Sequence, residues 1–177
     1  MNLPRIVILT IILAVSAAFC YGADLSDYPN QFIKNGVFDA VIVIGDNSDV
    51  ADAIGAVDIA TSLQYNSTKR IASGSAKLAS EIDDITKINA IVVGGPCANA
   101  AAARLMGYPK NCLEGFTRGK ALIKLFEFGD KVSMLVAGAT ALDTRRACRV
   151  LANYEDYDLR GSEVEIAGTE LTGVVVK

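Results

Sequence analysis

A chain of 177 residues fits one domain plus a processed segment, and a 51% apolar composition can supply a buried core. It contains no histidine, which excludes Ser-His-Asp and Cys-His catalysis and every His-based zinc site. The net charge of −3 comes without a basic run, so nucleic acid is a poor partner.

The chain opens like a secretory signal. Arg5 gives a positive start, residues 6–19 are almost wholly apolar, and Cys20 and Gly22 put small residues at −3 and −1 before Ala23. This predicts a signal peptide over 1–22, cleaved before Ala23, and a single domain over 23–177 that works outside the cytoplasm. The apolar run is short of the ~20 residues a membrane span needs. No later run is long enough either, so no membrane span is expected after cleavage.

Further along, residues 40–44 form a continuous β-branched run ending at Gly45, the mark of a strand buried on both faces. Residues 46–49 supply a turn and helix caps. Val50, Ile54 and Val57 then fall on one face of a helix. Residues 65–80 are small and polar and read as a loop, followed by a short helix over 77–86. The pattern returns as a strand over 90–93, a turn at Gly94-Gly95-Pro96 and a helix over 98–106. It returns again as a strand over 132–137, Gly138 and a helix over 140–152. A strand over 120–128 turns at Gly129-Asp130 into this third unit, and residues 163–166 and 171–176 form a second hairpin around Gly168. The expected fold is α/β: a small, mostly parallel sheet of repeated strand–Gly–helix units with helices packed on it, plus antiparallel hairpins near the C-terminus.

Ligands of such sheets bind at the carboxyl ends of the strands, where this reading puts Asp46, Asn47, Asp49, Asn99, Asp143 and Arg145. Together they suggest a small-molecule or Ca²⁺ pocket. Singly, each occupies a helix-cap or first-turn position, and capping is the preferred reading. Residues 46–49 lack the glycine and distal glutamate of an EF-hand loop. Residues 115–120 resemble a phosphate-binding loop but are one residue short, are followed by Ala121 and precede a strand. No catalytic, cofactor-binding or metal-binding residue is assigned.

After processing three cysteines remain. Cys97 opens the second helix and Cys112 follows its end beyond Gly107 and Pro109, so these two are expected to pair in an oxidising compartment. Cys148, inside the third helix, is expected to be a buried free thiol. In a reducing setting all three would remain thiols. Asn66-Ser67-Thr68 is a glycosylation sequon in a predicted exposed loop. Tyr154 and Tyr157 are candidates for exposed aromatics. Val174-Val175-Val176 forms a β-branched terminal run that either completes this domain's sheet or offers an edge to a neighbour.

Residues 39–45 (Asp-Ala-Val-Ile-Val-Ile-Gly) followed by 53–60 (Ala-Ile-Gly-Ala-Val-Asp-Ile-Ala) resemble the opening of archaeal S-layer proteins, which also follows a signal peptide. Residues 91–99 (Ile-Val-Val-Gly-Gly-Pro-Cys-Ala-Asn) resemble a segment in the C-terminal part of that family and a motif of bacterial cell-wall-binding repeats. Residues 143–147 (Asp-Thr-Arg-Arg-Ala) resemble its third-unit helix start. The likeness covers most of 37–157, without the large inserted domains usual in the family. It implies a structural protein of the cell envelope, without catalytic residues, whose partners are itself or other S-layer subunits. The bacterial repeats imply an alternative, a wall- or glycan-binding module. A carboxylate-dependent secreted enzyme is the least favoured reading.

Overall fold

The computed structural model describes residues 22–177; the expected signal peptide, residues 1–22, falls almost wholly outside them. In chain order the elements are β1 (Ile33–Lys34), β2 (Val37–Phe38), β3 (Val41–Ile44), α1 (Val50–Asn66), β4 (Ala76–Leu78), β5 (Ala90–Val93), α2 (Ala100–Leu105), β6 (Lys120–Phe128), β7 (Lys131–Gly138), α3 (Ala141–Ala152), β8 (Glu163–Ala167) and β9 (Val175–Val176). The fold is mixed α/β. Its seven-stranded sheet has the order β4-β3-β5-β7-β6-β8-β9, and β1 and β2 form a separate hairpin. The block β4-β3-β5-β7 is parallel, and β6, β8 and β9 continue it antiparallel.

Alternation along the strands divides the core in two. Ile42, Ile91, Val93, Met134, Val136, Ile123 and Ile166 face one side, where α1, α3 and the N-terminal residues Leu25, Tyr28 and Phe32 cover them. Val43, Val92, Leu135 and Ala137 face the other, against α2 and the turns around Ala79 and Ile85. The strands β3, β5 and β7 are therefore buried on both faces, which explains their uninterrupted apolar runs.

The glycine that ends each of two strands has a packing cause. A Cβ on Gly45 would lie 2.1 Å from the carbonyl oxygen of Ala98, and one on Gly138 would lie 2.3 Å from the Cβ of Asp143. Gly45 thus lets the loop before α2 press against the end of β3, and Gly138 lets α3 turn back directly over β7.

Three expectations need correction. Residues 65–80 are not a loop throughout: α1 runs on to Asn66, and Ala76–Leu78 is an edge strand parallel to β3. No α-helix occupies 77–86; single 3-10 turns stand at Ala79–Glu81 and Ile85–Lys87. Here side chains bind nearby backbone and hold the chain in single turns: Glu81 accepts from Leu78 N at 2.7 Å, and Asp84 accepts from Thr86 N at 3.0 Å. Nor is the apolar face formed by Val50, Ile54 and Val57 the packed face of α1. These residues are 73%, 39% and 62% exposed, while Asp52, Gly55, Ala56, Ile59 and Leu63 are buried. The packing partner decides this. A Cβ on Gly55 would come within 2.7 Å of Cys148 Sγ on α3, so the helices meet through the small-residue face and the aliphatic one is left outside.

Cys97 and Cys112 form a disulfide, and Cys148 is a buried free thiol. The bridge closes a sequence separation of 15 residues, and its reduction should cost roughly 3 kcal/mol in the chain-entropy account. Peptide mapping without reductant should recover the linked pair; free alkylation of all three cysteines in protein folded under oxidising conditions would contradict it. The terminal strand β9 pairs with β8, Ile166 opposite Val176, so the C-terminal run docks on its own sheet. Among the described residues, no helix is long and apolar enough to cross a membrane.

Candidate functional site

The carboxyl ends of β3, β5 and β7 open into a cleft of about 210 Å³, bounded by the starts of α1 and α3 and by the Cys97–Cys112 disulfide. Here β3 hands the chain to α1 on one face of the sheet while β5 hands it to α2 on the other. Divergence of this kind leaves a crevice at the strand ends.

The six polar residues expected at this rim have separate roles. Asp49 caps α1, accepting from Ala51 N at 2.9 Å. Asn99 caps α2 through its carbonyl, at 3.0 Å from Ala101 N, while its amide reaches Val93 O at 2.8 Å and Val43 O at 3.3 Å. Asp143 shares a capping box with Thr140 and pairs with the buried Arg146. Asp46 turns away and accepts from Ser80 N at 3.1 Å. Asn47 and Asp49 line the cleft, whereas Asp46, Asn99, Asp143 and Arg145 do not. Arg145 lies in the second turn of α3, its Cα 3.6 Å from the Cβ position of Gly55 on α1, so it belongs to the helix contact.

Three further polar side chains line the cleft: Asp52, Thr140 and Thr144. Asp52 is only 4% exposed, and its Oδ1 has no hydrogen-bond partner. Burial pushes its carboxyl above the ordinary aspartate range, opposed in part by the Asp49 backbone and the Thr144 hydroxyl. A signal for it exists in the sequence. Asp52 is in phase with Ala56, Ile59 and Leu63, an acid on a face that is otherwise small and apolar.

A second, wider cavity of about 530 Å³ lies between the C-terminal parts of α1 and α3, where Tyr65, Asn66, Arg149 and Tyr154 line it. Asn66 of the sequon is the last residue of α1. Its amide donates to Ser62 O at 2.9 Å and its side-chain oxygen accepts from the Tyr154 hydroxyl at 3.2 Å. Tyr154 and Tyr157 are half-buried against the core, and the Tyr154 ring stands edge-on to Tyr28. Among the described residues the exposed aromatics are instead Tyr65 and Tyr108.

Compared with known proteins, the chain matches no family model and is similar to no curated protein.

Proposed function

We propose that the chain is an exported structural domain of the cell envelope, S-layer-like in its three strand–Gly–helix units, and that it works by self-association through the outward face of α1. The observation that carries this reading is an unpartnered apolar stripe. Val50, Ile54, Val57, Thr61 and Tyr65 recur at helical spacing along the 17 residues of α1, and Tyr65 is 89% exposed. A helix apolar on both its inner and outer faces is built to be covered on both.

A second copy of the chain is the occupant this stripe fits. Its spacing is symmetric about the helix centre, so two antiparallel α1 helices related by a two-fold axis would set Val50 against the partner's Tyr65 and Ile54 against the partner's Thr61. Val57 would lie close to the axis. Such self-complementarity is what an isologous contact requires. The helix carries no lysine or arginine, and its one acid beside the stripe, the half-buried Asp58, lies next to Val57 near the axis. No catalytic residue is assigned in this reading.

Export and processing fit the same picture. Ala23 N donates to Glu127 Oε1 at 2.7 Å, so cleavage before Ala23 would set the new ammonium group beside a carboxylate. Glycosylation of Asn66 belongs to this proposal and would place a glycan at the end of α1, beside the stripe.

Sedimentation velocity of the exported chain tests the association. Wild-type protein should show concentration-dependent dimers, and Val57→Asp should stay monomeric with stability within about 0.5 kcal/mol of wild type, as for an exposed substitution. A wild-type chain that remains monomeric to about 1 mM, beyond the range of specific contacts, would end the proposal.

A further inference from the structure

The chain has two pairs of adjacent basic residues, Lys69-Arg70 and Arg145-Arg146, and the fold treats them in opposite ways. The second pair lies inside α3, and Arg146 is only 5% exposed. A helical backbone there cannot lie extended in a protease cleft. Lys69 and Arg70 are exposed, in the irregular segment 67–75 that joins α1 to β4. Among the described residues neither has an ion-pair partner.

The segment is held at few points. Thr68 N and Lys69 N donate to Gly36 O at 2.9 and 3.3 Å. The Gln64 side chain accepts from Ile71 N at 2.8 Å and donates to Lys69 O at 3.3 Å. Beyond these the chain turns at Gly74, where a Cβ would meet no heavy atom of the described residues within 4 Å. Exposed, lightly bonded connections of this kind open locally and are where proteases nick folded chains.

The topology determines what a cut here would leave. β3 lies in the piece before it, and both neighbours of β3, the strands β4 and β5, lie in the piece after it. α1 belongs to the first piece and meets α3 of the second where Gly55 faces Cys148. Leu25 N donates to Gly161 O at 2.8 Å, and the Asn99 amide donates to Val43 O at 3.3 Å. Without the first piece, β4 would be parted from β5 and the inner face of α3 laid bare. The Cys97–Cys112 disulfide lies wholly within the second piece, so packing and the sheet ladder alone would join the two.

We propose that the Arg70–Ile71 bond is a processing site for an endoprotease that reads two adjacent basic side chains, and that the processed domain is a stable complex of two pieces. The step is hydrolysis. One water is consumed and the peptide bond breaks; Arg70 gains a carboxylate and Ile71 an ammonium group, which can still donate to Gln64. The proposal does not rest on self-association through α1.

Digestion of the folded, disulfide-bonded chain with a protease specific for adjacent basic pairs tests it, read by intact mass and N-terminal sequencing. A single cut should appear, with a new N-terminus at Ile71. The two pieces should co-elute in gel filtration and melt together, with a Tm that now rises with protein concentration because unfolding releases two chains. Lys69→Gln combined with Arg70→Gln alters only exposed side chains and should slow the cut at least about a hundredfold. Val57→Asp should be cut like wild type. Protein isolated from its own cells should carry the same Ile71 terminus. The proposal is overturned if the bond resists a dose that cuts the urea-unfolded chain, if cutting begins at another bond, if the pieces part or unfold once cut, or if the cells hold only chain intact across residues 69–71.

Discussion

Replacing Asp143 with alanine should lower the unfolding free energy by roughly 3–5 kcal/mol, the cost of breaking a buried ion pair by removing one partner. As a first-turn acid of α3 it would be worth only about 0.3–1 kcal/mol through the helix dipole. The difference lies in what surrounds it. Asp143 and Arg146 have side chains 2% and 6% exposed, and they are paired one helical turn apart. One carboxylate oxygen, Oδ1, takes the Arg146 guanidinium and Gly119 N at 3.2 Å; the other, Oδ2, takes Thr140 N at 3.1 Å and the Thr140 hydroxyl at 2.7 Å. Arg146 also donates to Thr169 O at 3.3 Å, so the pair fastens the turns before β6 and after β8 to the start of α3. Alanine would strand a buried cation and release both turns. Urea denaturation measures the loss. The double variant Asp143→Ala with Arg146→Met should recover part of it, because no uncompensated charge is then left inside. A single-variant loss under about 1 kcal/mol would return Asp143 to the status of an ordinary first-turn acid.

That contrast shows where the sequence is readable and where it stops. The strands β3, β5 and β7 stand out because parallel strands covered on both faces must be apolar without interruption, and β6 stands out because its turn is Gly129-Asp130. The disulfide is legible because Cys97 and Cys112 flank one short helix. The β1–β2 hairpin was equally open to reading through Asn35-Gly36, whose φ values of 53° and 74° are those of a tight primed turn. Its strands have two residues each, too few to show a period of their own. β4 had no such signal: Ala-Lys-Leu is too short to establish a period. The packed face of α1 is not legible in the sequence for a deeper reason. Periodicity finds an apolar stripe but does not say what it touches, and here Gly55 and Ala56 win the contact with α3 because they let the helices come close. Asp52 lies on the same small-residue face and lines the cleft, where no aliphatic stripe points to it. The caps at Asp49, Asn99 and Asp143 were legible as caps, since each precedes or opens a helix. Their further partners come from strands and turns distant in sequence, and no local pattern reports those.

Asn99→Ala should be nearly as damaging as loss of Asp143, at roughly 2–5 kcal/mol. A cap alone is worth about 0.5–2 kcal/mol. Asn99, however, is fully buried and uses both ends of its amide. Its oxygen accepts from the amides that open α2, and its nitrogen donates to Val93 O and Val43 O, the last turns of two neighbouring strands. Removing it leaves two buried carbonyls short of a donor, at about 1–3 kcal/mol for each group that finds no water. Relaxation is blocked from one side, since the Ala98–Asn99 backbone already presses on Gly45 with no room for a Cβ. Asn99→Asp separates the two functions. It keeps the cap acceptor but points a carboxylate at two carbonyl oxygens, so its folded-state pKa must rise above the unfolded value near 3.9. A raised carboxyl pKa means the native state holds its proton more tightly than the unfolded chain. The stability deficit of Asn99→Asp is therefore greatest above the folded pKa and shrinks as pH falls toward about 4. Thermal melts of both variants and wild type at about pH 4.5 and about pH 8, on either side of that shifted pKa, give the readout. A deficit for Asn99→Asp that stays flat across this range, or a loss for Asn99→Ala no larger than that of an exposed cap, would show that the amide does not tie β3 to β5.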